Sequence, residues 1–502
     1  MRIAFVYPPL AGPGRFPLLG QNRQFRYSSS SHVRLYPLVP ASAVTLLDRA
    51  GFESTLIDGI NARMTQRQFA TELDRFSPEM IVMEAKTPIM PVLWKLADTY
   101  RCEFGPVVLV GDHVTARPQE SLLRSRADYV VTGGDYDLSI LNLARHLESQ
   151  SRSHTDDLPG GIWHLVDGKP RCNGPAPMWR DLDEIPFIDR ELTRWELYGE
   201  AYLNRPSTYI MTGRGCGGDG RAPGRCSFCS WQHLFWRQQC RTRSPGNVAD
   251  EVQHIVERQK PKEIFDDNES GMTWSPSWLE AFKLELEKRG ILGEVMLSSN
   301  SRADSLTRET CNLLSKIGFR LLKIGIESGS QSTLDRICKM ETLTAMEAGV
   351  RNAKDAGLRV LLTVMVGYPW EGVKEVRATL RFVRRLLRYK ARIGDSLQAS
   401  ILIPYPGTPL HDMALRDNLF AVDPADYEAY DMSRPVLRSP LQPEGWCRRL
   451  WMLHLDPVFL SRCLLSIRSI DQVKLATTGV RSLICHVSDF AEPNRGGTLA
   501  PD

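Results

Sequence analysis

Thr212-Gly-Arg-Gly-Cys216 through Cys226-Ser-Phe-Cys229 places three cysteines within fourteen residues, spaced C-x9-C-x2-C. The stretch follows a short apolar run, Tyr209-Ile-Met, which reads as a strand running into a glycine loop. A Cys-x2-Cys pair with one more cysteine nearby brings three thiolates to one point, and thiolates select zinc or an iron–sulfur cluster. Three protein ligands on a four-iron cluster leave one iron open for a substrate or cofactor. A zinc site completed by Cys240 or His233 satisfies the same three cysteines, so they leave both metals open.

Working outward, the second half of the chain alternates strand and helix. Strands are expected at Tyr209–Thr212, Glu263–Phe265, Val295–Ser298, Leu321–Ile326, Val360–Val366 and Leu397–Ile403, with helices at 246–259, 276–288, 307–316, 332–338, 342–356 and 372–387. Six βα units in a row predict a partial (β/α) barrel, whose chemistry belongs at the carboxyl ends of its strands. The cysteines follow the first strand at that edge. So do Asp266-Asp267-Asn268, Asn300-Ser301-Arg302, Glu327-Ser328-Gly329, Gly367-Tyr368-Pro369 and Pro404-Tyr405-Pro406-Gly407-Thr408. Polar groups and glycines at all six ends are hard to explain by packing alone.

The first 150 residues form a second alternating series. Strands are expected at Arg2–Tyr7, Ser54–Ile57, Met80–Glu84, Val107–Val110 and Tyr129–Val131, and helices at Val39–Gly51, 66–75, 91–103 and 138–148. Near-continuous apolar strands between helices imply a parallel sheet covered on both faces, here doubly wound. Such sheets bind ligands at the carboxyl ends of their strands. The candidates are Pro8-Pro9, Glu84-Ala-Lys86-Thr87, Gly111-Asp112-His113 and Gly133-Gly134, each of which alone reads equally well as an ordinary turn. Residues 11–38 read as a long Gly-, Arg- and Ser-rich loop. Residues 151–205 read as a linker with a small hairpin turning at Asp167-Gly168. Residues 411–502 read as a helical cap on the barrel mouth with a disordered tail.

Composition narrows the class. The chain has 502 residues, 42% hydrophobic, with a net charge of +4, which gives no reason to invoke nucleic acid or a membrane surface. Eleven scattered cysteines argue for a reducing compartment rather than a disulfide scaffold. The N-terminus lacks the apolar core of a signal peptide, and no run approaches the roughly 20 residues needed to span a bilayer. A cytoplasmic location is expected.

"VVLVGDHVTARPQE" followed by "ADYVVTGGDYDLSILNLARHL" resembles the cobalamin-binding domain that precedes many radical S-adenosylmethionine (SAM) enzymes. That family typically has Gly-Gly-Pro-His and Gly-Glu-Gly-Glu segments. This chain has Gly111-Asp112-His113 and Gly133-Gly134-Asp135-Tyr136 instead, so the usual glutamates are missing. It also lacks Asp-x-His-x-x-Gly, which implies cobalamin bound without a histidine on cobalt. "RTRSPGNVADEV", "KIGIESGSQSTLDRI", "AGLRVLLTVMVGYPWE" and "ILIPYPGTPL" resemble the radical SAM barrel, and the likeness spans roughly residues 1–410. The family's usual motif is C-x3-C-x2-C, so this chain carries six extra residues between Cys216 and Cys226, read as a loop.

The resemblance implies an α/β protein of four parts. These are a Rossmann-like cobalamin-binding domain over residues 1–150, a linker over 151–205, a radical SAM partial barrel over 206–410 and a helical C-terminal region over 411–502. Cys216, Cys226 and Cys229 would hold a 4Fe–4S cluster. Phe228 would pack near the adenine of SAM, Arg302 would reach its carboxylate, and Glu327 its amine or ribose. Pro9, Thr87, Gly111, Asp112, His113, Gly133 and Gly134 would line the cobalamin site. Of the nearby Arg214, Arg221, Arg225, Arg237, Arg241 and Arg243, at least half read as solvated surface, the others as groups that raise the cluster potential or hold an anionic substrate. The expected activity is radical methylation, moving a methyl group from SAM by way of cobalamin to an unactivated carbon or phosphorus of a small metabolite, with a flavodoxin- or ferredoxin-type electron donor. Cobalamin-dependent radical chemistry without methyl transfer, and a non-catalytic cobalamin-binding protein with a zinc site, are the alternatives.

Overall fold

The structure, a computed structural model, describes every residue except 11–14, 21–22, 30–32, 150–157, 218–225, 269–274 and 491–502. The expected disordered tail and the extra residues between Cys216 and Cys226, Arg221 and Arg225 among them, therefore lie almost wholly outside the described residues.

Apolar runs too short for helices build two parallel sheets. In the first, the spatial order is Glu53–Asp58, Arg2–Tyr7, Met80–Glu84, Val107–Val110 and Tyr129–Val131, all parallel. Numbered along the chain this is 2-1-3-4-5, a doubly wound order whose switch point lies between the first and third strands. All five strands bury almost every residue, as a sheet covered on both faces requires. The hairpin expected in the linker, Ile162–Val166 and Lys169–Cys172, pairs antiparallel onto the fifth strand and extends this sheet. It turns at Asp167 (φ 48°) and Gly168 (φ 73°), a left-handed pair that suits the twist of a two-residue hairpin turn.

The second sheet has six parallel strands in chain order: Ser207–Ile210, Glu263–Asp266, Met296–Ser301, Phe319–Glu327, Arg359–Val366 and Ser396–Ile401. The helices between them begin sharply because Ser244, Ser275, Thr307 and Thr342 each accept a hydrogen bond from a backbone N–H of the first turn. With no strand joining the first to the sixth, the barrel stays open on one side.

Two expectations are corrected. Residues 11–38 are not simply a loop: Phe16–Gly20 and Arg23–Ser28 pair as an antiparallel hairpin with Leu18 opposite Phe25, both buried. Residues 411–489 are more than a cap on the mouth: Met432 does line the cavity, but most of the region flanks the barrel. Helix Pro443–Trp451 packs along the sixth strand, where Trp451 Nε1 donates to the Ala399 carbonyl at 3.0 Å and Ile401 N–H to the Met432 carbonyl at 3.1 Å. The reason is the unpaired edge, whose backbone groups need partners. Helix Ile470–Asp489 then reaches back to the N-terminal hairpin, where Asp489 accepts from Ser28 and Ser29. Among the described residues no helix is long and apolar enough to cross a membrane.

Candidate active site

One continuous cavity joins the carboxyl edges of both sheets. From the first sheet it is lined by Tyr7, Asp58, Asn61, Glu84 and Tyr136, and from the barrel by Cys216, Cys226, Phe228, Cys229, Arg302 and Glu327. The two edges therefore face each other across a shared space.

The cysteine loop is held by backbone constraints at each end. Asp266, at the end of the second barrel strand, accepts from the Thr212 N–H (2.9 Å) and hydroxyl (2.6 Å), and burial pushes its carboxyl up to about 7. Gly215 (φ 104°) lies so close to the Gln239 carbonyl that an added Cβ would sit 1.9 Å from that oxygen, so only glycine fits. The second pair is a tight turn: Cys229 N–H donates to the Cys226 carbonyl at 3.0 Å, Ser227 N–H to the Ile337 carbonyl, and Leu410 N–H to the Ser227 carbonyl. Burial pushes the Cys226 thiol up to about 11 and that of Cys229 up to about 12, each raised further by its cysteine neighbours. These are neutral thiols until a cation stabilises their thiolates.

Charged side chains crowd the thiols. Arg302 pairs with Asp304 (2.9 Å) and Glu341 (3.1 Å), and it lies within electrostatic reach of Cys216. Glu327 sits in the left-handed region (φ 60°) at a register shift in its strand, a strained placement of the kind that marks functional sites. Its carboxylate pairs with Lys339 at 3.2 Å, and Lys339 in turn lies near Cys226. Gly325 leaves room for that pair, since a Cβ there would meet Glu327 Oε1 at 2.5 Å. Lys339 carries no recognisable motif, and only the fold brings it to the cavity.

Cys226, Cys229, Cys216, Phe228, Arg302 and Glu327 thus all line one cavity. Pro9, Thr87, Gly111, Asp112, His113, Gly133 and Gly134 do not. Gly111 packs against the third strand, where a Cβ would meet the Ala85 carbonyl at 2.7 Å. Gly133 and Gly134 receive the segment after the cysteines: Gly134 N–H donates to the Phe235 carbonyl, and a Cβ on Gly133 would touch the Leu234 carbonyl. Asp112 is buried with Lys86 and Gln24. His113 is buried against Tyr427, with Nδ1 3.3 Å from the Thr87 hydroxyl, and burial pushes it down to about 3, so it is neutral. The seven were placed by strand-end position and by resemblance to the family's segments, neither of which says which way a loop turns. Glu84 is the better-placed residue of its segment, taking hydrogen bonds from Tyr7 and Tyr136 and pairing with Lys86.

Three arginines, Arg214, Arg241 and Arg243, are anchors rather than solvated surface, whereas Arg237 is exposed. Arg214 is 4% exposed and grips Asp137 (2.6 and 3.0 Å) and Asp135 (2.8 Å). Arg241 pairs with Asp135, Arg243 with Glu251, and Arg237 donates to the Ala176 carbonyl. Asp135 and Asp137 stand just where the family's usual glutamates are missing, and they hold the barrel's arginines. The alternative zinc ligands are engaged elsewhere: the His233 ring lies 3.2 Å from the Cys226 carbonyl and the Cys240 thiol donates to the Gly217 carbonyl.

Comparison with known proteins agrees with this architecture. Residues 212–383 match the family model described as the Radical SAM superfamily, so the chain carries a radical SAM domain. An uncharacterized methyltransferase, PH0819, of Pyrococcus horikoshii is 27% identical over 387 residues, which cover 76% of this chain and 79% of that one. The radical SAM methyltransferase TsrM from Kitasatospora setae, solved with cobalamin and a 4Fe–4S cluster bound, superimposes with a TM-score of 0.68 at 15% identity, over 98% of this chain and all of that one. The cobalamin-dependent radical enzyme OxsB, solved with aqua-cobalamin and SAM, gives 0.67 at 14% identity, over 97% of this chain and 71% of that one. The fold is the one these two share: a doubly wound domain joined to a partial barrel with a helical C-terminal region.

Proposed function

We infer that this chain is a cobalamin-dependent radical SAM methyltransferase, acting on an unactivated carbon or phosphorus of a small metabolite, most simply in natural-product biosynthesis. The observation that carries the reading is the single cavity shared by the three cysteines and the switch point of the first sheet. A 4Fe–4S cluster fits the donor set. The three thiols sense one another electrostatically, yet among the described residues no three His, Cys, Asp or Glu side chains gather closely enough to share one ion. A zinc ion asks for sulfur at about 2.3 Å; a cluster spreads its thiolates over several iron atoms. Cobalamin, rimmed by amides, fits the space between the two edges, where the barrel residues Gln232, Trp231 and Tyr405 line the cavity with amide, Nε1 and hydroxyl groups buried and without partners among the described residues.

When bound, the cluster delivers the electron that splits SAM into a carbon radical, and cobalamin serves as methyl carrier. The chain's own residues bind, orient and shield. Arg302 holds the SAM carboxylate, Glu327 its amine or ribose, with Lys339 fixing the Glu327 carboxylate, and Phe228 packs on the adenine. The enclosed cavity takes a small-molecule substrate, and an external flavodoxin- or ferredoxin-type donor supplies electrons in a reducing cytoplasm. Residues 1–150 then act as the cobalamin domain, 151–205 as connector, 206–410 as the radical SAM barrel and 411–502 as its helical flank.

The test is anaerobic reconstitution with iron, sulfide and hydroxocobalamin, followed by SAM and a low-potential reductant. Both 5′-deoxyadenosine and S-adenosylhomocysteine should form, and both should vanish in Cys226→Ala. Formation of 5′-deoxyadenosine alone, with substrate present, would favour radical chemistry without methyl transfer. Zinc in place of iron, with neither product, would favour a binding protein.

A further inference from the structure

The floor of the cavity, inside the barrel, carries charges that the reaction above does not use. Lys323 lies mid-strand in Phe319–Glu327, opposite Asn300 and Leu361, and lines the cavity. Its ammonium has no hydrogen bond or ion pair with any described residue. Tyr209, on the first barrel strand, lines the same floor with its hydroxyl buried and unpartnered. Asp267, just after the second strand, receives the Asn300 amide on one oxygen (2.9 Å) and no other side-chain hydrogen bond from the described residues. The neighbouring Arg23 and Glu200 pair with each other, and Tyr202 donates to Glu200 at 2.7 Å, so they are spoken for.

A buried charge without a partner is costly. Both lone charges register that cost. Burial, then Arg23, pulls Lys323 down to about 8, and burial raises Asp267. One unpaired cation with a hydroxyl donor, facing one unpaired anion, is the complement of a zwitterion. Above the floor the cavity is lined by Val364, Met365, Leu402, Ile403 and Met432, an apolar stretch.

We propose that this floor binds the substrate as a free α-amino acid with an apolar side chain, its carboxylate against Lys323 and the Tyr209 hydroxyl and its ammonium against Asp267. This rests on the function proposed above and names its substrate class. The amino-acid end of SAM belongs elsewhere, because the cations within reach of Cys226 and Cys216 are Lys339 and Arg302, whereas the charges acting most strongly on Lys323 are Arg23, Glu200 and Asp267, with Glu327 after them.

The test is calorimetric titration of the cluster- and cobalamin-loaded protein with each of the twenty L-α-amino acids at pH 7. Any that binds is followed by its decarboxylated and deaminated analogues. One or a few apolar amino acids should bind, and each analogue should bind at least tenfold more weakly. Lys323→Met should abolish binding, and Tyr209→Phe, which removes only a partnerless hydroxyl, should weaken it severalfold. No binding by any of the twenty overturns the proposal, as does an analogue binding as tightly as its parent, or both variants binding like the wild type. SAM cleavage by the same wild-type preparation keeps the two readings apart. Cleavage without amino-acid binding sinks this proposal alone, and amino-acid binding without cleavage sinks the proposed function alone.

Discussion

Lys323 shows how a single residue ties stability to pH. In the folded chain it gives up its proton near pH 8 rather than near 10.5. Between those values the unfolded chain holds the extra proton, so this group makes stability rise with pH across that window. Denaturant unfolding at pH 7.5 to 10 should show it as the difference between wild type and Lys323→Met, a difference that grows with pH, because the buried Cys226 and Cys229 thiols, raised to about 11 and about 12, act in the opposite direction in both proteins. Arg23, Glu200, Asp267 and Glu327 are the charged groups that face the ammonium. Gly215 gives a steric counterpart. A Cβ placed 1.9 Å from the Gln239 carbonyl at φ 104° cannot be accommodated, so Gly215→Ala should fail to retain iron after reconstitution, as an iron assay would show. At this scale the sequence was readable where spacing or motif carries chemistry: the three cysteines, Phe228, Arg302 and Glu327 all face the cavity. It was silent on Lys339 and Lys323, because a lysine in a strand or after a helix looks the same whether it points to solvent or into a barrel.

At the scale of elements, the junction between the two sheets depends on Arg214. Its guanidinium is buried between Asp135 and Asp137. Removing it strands the Asp137 carboxylate in the interior and leaves Asp135 to Arg241 alone, and breaking such a buried pair costs roughly 3–5 kcal/mol. Arg214→Ala should therefore lower unfolding stability by about that amount, and a double-mutant cycle with Asp137→Asn should show coupling well above 1 kcal/mol. Near-zero coupling would mean that solvent already screens the pair. Strands were the most legible elements, since all eleven expected parallel strands form within three residues of their expected limits. The N-terminal hairpin was not, because Gln24 and Arg26 beside Phe25 are buried polar residues and Leu18 is flanked by Pro17 and Leu19, so no alternation of apolar and polar residues marks a period of two. The C-terminal helices were visible as helices. Their place along the sixth strand was not, because nothing local says which edge of a barrel is left open.

For the whole molecule, the arrangement of two sheets with facing carboxyl edges follows from topology. Parallel strands with helical crossovers gather their loops at one end, and the Arg214–Asp135–Asp137 cluster, together with the Gly133–Gly134 contact on Trp231–Phe235, turns those ends toward each other. The alternation of apolar runs made both halves legible, but their mutual orientation depends on buried ion pairs that link residues about 80 positions apart. The central claim is that one cavity serves a cluster at one wall and cobalamin at the other. Metal analysis of the anaerobically reconstituted chain beside Cys226→Ala tests it most directly. The account predicts about four iron atoms per cobalt in the wild type, with iron lost and cobalt kept in the variant. Zinc in the wild type, or a chain that retains no cobalt, would contradict it.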